Sequence, residues 1–348
     1  MGLATRIFRR ADGRWRTVLI IAAAATLICT GVAASVGGWL GRSATAPREP
    51  VRVAVSSTPH AALIYLAAAK GYFAEEGLQV TLTPVTHGKA ALDRLMAADV
   101  DLAAAAEVPL VIAVLNGQQI DATAIVASVS TEMAIVARRD RGISSPADLA
   151  GKKVGATLGT SGEYFLWAFI ARHRLPPNAV TVVNVPPEQI PGKLASGALD
   201  AAATWQPVRL GAEAALGPDA ITFIEPDAYT VTHLVVGLDR YVRSHPKTME
   251  RFVRAVLKAE AFSQARRSEA LALLAAQLRI DALALLPTWK DLDFSVELRQ
   301  SQLITLEDEA RWAMSQGHAP KGKVPNFLPR LYLDALLAVR PDRVTIVH

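Results

Sequence analysis

The stretch Val154 to His173, VGATLGTSGEYFLWAFIARH, constrains the fold more than any other part of the chain. An apolar run, Val154 to Ala156, passes through Gly159-Thr160-Ser161-Gly162 into a helical pattern with Phe165, Leu166, Phe169 and Ile170 on one face. The pattern predicts strand, tight turn, helix. Thr160 with Glu163 three residues on fits a capping box, so the turn should deliver a helix N-terminus whose free N–H groups and positive dipole end face outward. Such an end suits an anion or an acceptor, although the same residues also cap helices that bind nothing.

The same unit recurs along the chain. Strands are expected at Val51–Ser56, Val80–Val85, Leu102–Ala106, Asp121–Val129, Met133–Arg138, Lys153–Thr157, Val180–Val185, Ala201–Thr204, Ile221–Ile224 and His233–Leu238, with helical segments between many of them. A repeating β-α-β order implies a mostly parallel sheet covered by helices. From Pro246 the pattern is almost wholly helical, including the runs Val296 to Met314 and Leu328 to Val339. Four strand-to-helix openings share one design: Thr58-Pro59, Glu107-Val108-Pro109, Thr160-Ser161 and Gln206-Pro207. Ligands of open α/β sheets bind beside such helix N-termini, at the carboxyl ends of strands. Two openings precede Met133 and two follow it, so a cleft between two halves is expected, with segments 130 to 140 and 230 to 240 as the hinge pair.

Charge is distributed unevenly. Residues 1 to 46 hold six arginines and one aspartate, a net of +5, and the 348-residue chain as a whole is also +5, so the body after residue 46 is formally neutral. No basic patch remains to bind a phosphate backbone, which excludes a nucleic-acid partner. Five of those arginines precede Val18 to Leu40, 23 residues without a charge, long enough to span a bilayer. The positive-inside rule then keeps the N-terminus in the cytoplasm and sends the body across the membrane. Residues 1–46 are therefore expected to be a signal or transmembrane segment with its linker, and the body to lie on the periplasmic side of the inner membrane, anchored or secreted. Cys29, the only cysteine, lies inside the apolar run and reads as filler, so the body has neither disulfide nor thiol chemistry.

The runs KGYFAEEGLQV (Lys70 to Val80), GKAALDRLMAADVDLA (Gly88 to Ala103), SSPADLAGKKVGATLGTSGEYFL (Ser144 to Leu166) and LASGALDAAATWQP (Leu194 to Pro207) resemble the nitrate, sulfonate and taurine type of transporter substrate-binding protein. This group is related to the thiamine-pyrimidine precursor proteins. The resemblance implies an α/β fold, the periplasmic-binding-protein fold of the second type, with two α/β lobes joined by a two-segment hinge. Lobe 1 would comprise residues 47–136 and 234–348, and lobe 2 residues 137–233. It implies a monomer that captures a small organic anion or zwitterion by hinge closure for an ABC permease and its ATPase, without cofactor, metal or catalysis.

Carried over by position, the family's pocket residues fall on Thr58, His60, Glu107, Ser130 and Thr131 in the first lobe and on Thr160, Ser161, Gly162, Trp205 and Gln206 in the second. Gly162-Glu163 stands where many relatives have Ala-His, and Gln206 where many have Glu. Glu107, at a helix start, is expected to accept from a ligand amine or N–H, while Thr160, Ser161 and Gly162 hold an acid group and Trp205 packs on the apolar middle. The related thiamine-pyrimidine synthases need a cysteine-rich iron motif that Cys29 alone cannot supply, and there is neither an HExxH pair nor a nucleophile elbow. The alternatives left open are a thiamine-pyrimidine precursor-binding protein or related enzyme, and a ligand-binding sensor that docks on a membrane kinase.

Overall fold

A computed structural model describes residues 47–226 and 228–347. The expected N-terminal signal or membrane segment, residues 1–46, lies outside the described residues. Among the described residues no helix is long and apolar enough to cross a membrane.

Among the described residues ten strands form two five-stranded sheets. They are β1 (Glu49–Ser56), β2 (Leu78–Val85), β3 (Leu102–Ala106), β4 (Ile120–Val129), β5 (Ala134–Arg138), β6 (Lys153–Ala156), β7 (Thr181–Asn184), β8 (Ala201–Thr204), β9 (Ala220–Ile224) and β10 (Val231–Leu238). The first sheet has the order β2-β1-β3-β10-β4 and the second β7-β6-β8-β5-β9. The chain passes from the first sheet to the second between β4 and β5, and returns between β9 and β10.

Both sheets are mixed, where a mostly parallel sheet was expected. In each, two parallel pairings on one side are followed by a strand that runs antiparallel to both its neighbours: β10 between β3 and β4, and β5 between β8 and β9. The reversed strands are the two that enter a sheet directly after a crossing. They arrive without the crossover helix that returns a strand to a parallel course.

Helices lie on the sheets through close approaches that explain their small residues. A Cβ on Gly88 would stand 3.0 Å from Ala105 Cα and 3.2 Å from Ala106 N, so the helix Gly88–Met96 touches the backbone of the alanine-rich β3. Larger side chains in β3 would push that helix start away from the strand end. The helix Ser161–Arg172 instead anchors through Phe165 and Phe169, both essentially fully buried, each contributing about 1.5–3 kcal/mol by burial.

Three local expectations differ from the structure. No capping box forms at Thr160: its hydroxyl donates to the Thr157 carbonyl at 2.6 Å, and Glu163 accepts from Gly159 N at 2.7 Å. A nearer carbonyl has taken the hydroxyl, so the first-turn N–H groups lack that cap. The run from Val296 is helical only from Gln300, because Asp293 and Glu297 bridge to Ser128 and Ile125 of β4. The run Leu328 to Val339 is a 3-10 turn, Leu328–Arg330, followed by a short helix, Asp334–Val339.

Candidate functional site

The strand-end openings meet around a small, partly open cavity. Ser56, Thr58 and His60 enter it from the end of β1, and His87, Gly88 and Lys89 from the end of β2. Ala106 ends β3 and Pro109 follows it, Thr160 and Ser161 follow β6, and Trp205 follows β8. Glu132 and Met133 of the first crossing and Val231 and His233 at the start of β10 complete the wall.

One wall is polar and tightly connected. Ser56 Oγ and Thr58 Oγ1 share a hydrogen bond of 2.7 Å, and Thr58 Oγ1 lies 2.9 Å from His60 Nδ1. The other ring nitrogen, His60 Nε2, makes a short hydrogen bond to Glu132 Oε2. His233 stacks on His60 with ring centroids 4.2 Å apart, and its Nε2 stands 3.6 Å from Glu132 Oε1, too far for a hydrogen bond. Burial alone would raise the Glu132 carboxyl, but the charge of His60 and the two facing imidazoles outweigh it and hold the group at about 2. Burial, then repulsion from His60, lowers the His233 imidazole to about 4, so it is neutral at pH 7.

The opposite wall offers donors and an aromatic face. Ser161 Oγ is buried and has no hydrogen-bond partner of good geometry, at the start of a 12-residue helix whose positive end faces the cavity. Lys89 adds a cation, held by Asp93 at 3.2 Å. Trp205 lies on the first turn of that helix, because a Cβ at Gly162 would come within 3.1 Å and 3.2 Å of its ring. Gly162 therefore seats the ring without lining the cavity itself.

Glu107 does not line the cavity. It is fully buried behind the wall, where Oε2 accepts from Thr232 N at 2.9 Å and Oε1 lies 2.6 Å from the Tyr229 hydroxyl. The same hydroxyl lies 3.0 Å from Glu309 Oε1. One phenol has one hydrogen to donate, so the second contact requires a protonated carboxyl and the pair shares a proton. Burial, followed by the Tyr229 contact and backbone donors that partly oppose it, raises the Glu107 carboxyl; burial and the neighbouring Glu107 charge raise Glu309. The carboxylate that faces the cavity is Glu132.

Ser130, Thr131 and Gln206 also stand outside this wall. Ser130 lines a separate opening with Tyr164, Tyr229 and Thr232. The Thr131 carbonyl accepts from Arg209 Nη1 at 2.8 Å. Gln206, oriented with its amide oxygen toward Arg209, accepts from Nη2 at 2.6 Å and Nε at 2.9 Å. Arg209 thus ties the end of β8 to the backbone of the first crossing, beside Glu132. Thr58, His60, Thr160, Ser161 and Trp205 come together in the cavity. Sequence reasoning missed Ser56, His87, Lys89, Glu132 and His233. Glu132 carried the clearest signal, as the one charge in the apolar crossing Val126 to Ala137.

Two mixed α/β sheets, crossed twice by the chain, with a cavity at their strand ends, define the periplasmic-binding-protein fold. The aliphatic sulphonate binding protein SsuA of Escherichia coli superposes with a TM-score of 0.71 at 16% identity, covering 82% of this chain and 92% of that one. The alkanesulfonate-binding protein SsuA of Xanthomonas axonopodis pv. citri, solved with MOPS, gives 0.70 at 18%, covering 83% and 100%. In sequence, the taurine-binding periplasmic protein of Escherichia coli (strain K12) is 25% identical over 215 residues, 61% of this chain and 66% of that protein. The NMT1/THI5-like family model matches residues 58–270, and the chain belongs to that family.

Proposed function

We propose that the chain is the extracytoplasmic solute-binding component of an ABC importer, and that it captures a small organic anion of the sulfonate class and releases it unchanged. The observation that carries this reading is the cavity's second wall. Ser161, the positive helix end and Lys89 offer unsatisfied donors and positive charge to an acid group, while Trp205, Met133 and Val231 offer an apolar surface for a short carbon chain. The sulfonate- and taurine-binding relatives support the ligand class.

In this reading residues 47–136 and 234–348 form one lobe and 137–233 the other, hinged at the two crossings. Closure is driven by contacts that the closed state makes and the open state lacks. Thr58, Thr160, Ser161 and Trp205 touch the ligand, His60 and Glu132 form the facing polar wall, and Gly162, Gln206, Glu107, Ser130 and Thr131 shape or support it. A permease with its ATPase receives the ligand, and the monomer works on the periplasmic side of the inner membrane, anchored there or secreted.

A thermal-shift screen of alkane and aryl sulfonates, taurine, nitrate and aminopyrimidines tests the proposal. A ligand at about a hundredfold excess over its dissociation constant adds about 2.7 kcal/mol of stability. Sulfonates should lead the series. Stabilisation by aminopyrimidines alone would move the protein to the thiamine-precursor branch, and turnover of any compound would make it an enzyme.

A further inference from the structure

The polar wall carries an arrangement that solute capture does not require. His60 follows β1, Glu132 lies in the first crossing and His233 in β10, so only the folded chain brings them together. One donor atom from each lies within 4.8 Å of the others. The three side chains are 4%, 2% and 14% exposed. The hydrogen bond between His60 and Glu132 satisfies those two groups but leaves the buried His233 Nε2 without a hydrogen-bond partner, a condition buried polar atoms rarely tolerate.

We infer that His60 Nε2, His233 Nε2 and the Glu132 carboxylate bind a divalent transition-metal cation, with zinc the best fit. Two imidazoles and a carboxylate are borderline donors that suit this ion, and three protein ligands leave a position open. Donors that sit about 2.0–2.2 Å from one ion stand at most about 4.4 Å apart, and the 3.6 Å between His233 Nε2 and Glu132 Oε1 lies inside that span. The surroundings fit as well. Thr58 Oγ1, itself bonded to Ser56, takes His60 Nδ1 at 2.9 Å and fixes the ring with Nε2 toward the site, as an outer partner of a metal-binding histidine does. Arg209 holds the carbonyl of Thr131 and so steadies the segment that carries Glu132. The open position faces the cavity, where it accepts water or an anionic oxygen.

The inference does not depend on which solute fills the remaining space, so its test omits organic ligands. The full chain, made without a polyhistidine tag and stripped with a chelator, is titrated with Co²⁺ and followed by visible absorption, with Zn²⁺ as competitor. One Co²⁺ per chain should bind with an intense low-symmetry spectrum and be displaced by Zn²⁺. His233→Ala and Glu132→Gln should each weaken binding by at least about a hundredfold, and His245→Ala, remote from the cavity, should leave it unchanged. Circular dichroism checks each variant, and if His233→Ala does not fold, Glu132→Gln, which keeps the side-chain shape, decides. A spectrum that stays that of the aqueous ion, or saturable binding that Glu132→Gln does not weaken, overturns the site.

Discussion

Replacing Glu309 by glutamine tests the shared proton between the two buried carboxyls. Tyr229 lies 2.6 Å from Glu107 and 3.0 Å from Glu309, and donates to only one of them. The protonated acid therefore supplies the second hydrogen bond, and a glutamine amide at position 309 can supply it at every pH. Burial and the neighbouring Glu107 charge raise the Glu309 carboxyl well above its ordinary value. A raised carboxyl binds more protons folded than unfolded, so its penalty is absent below about pH 4.5 and grows with pH until the folded acid ionises. The penalty grows by about 1.4 kcal/mol per pH unit while the folded acid keeps its proton. Urea unfolding at pH 5, 6, 7 and 8 measures it. Glu309→Gln should match the parent near pH 5 and exceed it by a margin that widens with pH, at least about 1.4 kcal/mol at pH 8, with a flatter profile. Parallel profiles for the two proteins would refute the shared proton.

Two further substitutions probe the second wall. Gly162→Ala places a methyl 3.1 Å from the Trp205 ring, where overpacking of about 1–3 kcal/mol is partly offset by about 1 kcal/mol of helix propensity. Its melting temperature should fall only slightly, while affinity for the best sulfonate in the screen drops; unchanged affinity by calorimetry would show that the ring does not touch the ligand. Ser161→Ala removes one donor to the acid group and should weaken every sulfonate by about 1 kcal/mol, near fivefold, whether or not it bears an amine. A loss confined to one ligand would place Ser161 elsewhere.

The strand ends were legible because each β-α unit switches from a short apolar run to a helical period at a Gly, Pro or hydroxyl residue, and the cavity gathers five such switches. Thr58, Thr160, Ser161 and Trp205 were therefore within reach of local reading. Glu107 was misread because its helix, EVPLVIAVL, is apolar on every side and gives no sign of which face meets the core. Its carboxylate turns inward to Thr232 and Tyr229, which are more than a hundred residues away in sequence. His60, Glu132 and His233 come from three distant segments, and only the antiparallel insertion of β10 beside β3 and β4 sets His233 against the other two. The extended stretch before Gln300 was likewise hidden, since its partner is the edge of β4 rather than a neighbour in sequence.

Calorimetric titration of the full chain with the most stabilising sulfonate, followed by mass analysis of the ligand recovered from the complex, tests the account of this cavity most directly. One site per chain is expected, at least about tenfold weaker in Trp205→Ala, with the ligand returned chemically unchanged. Absence of saturable binding by any anion in the screen, equal affinity in Trp205→Ala, or a modified ligand would contradict it.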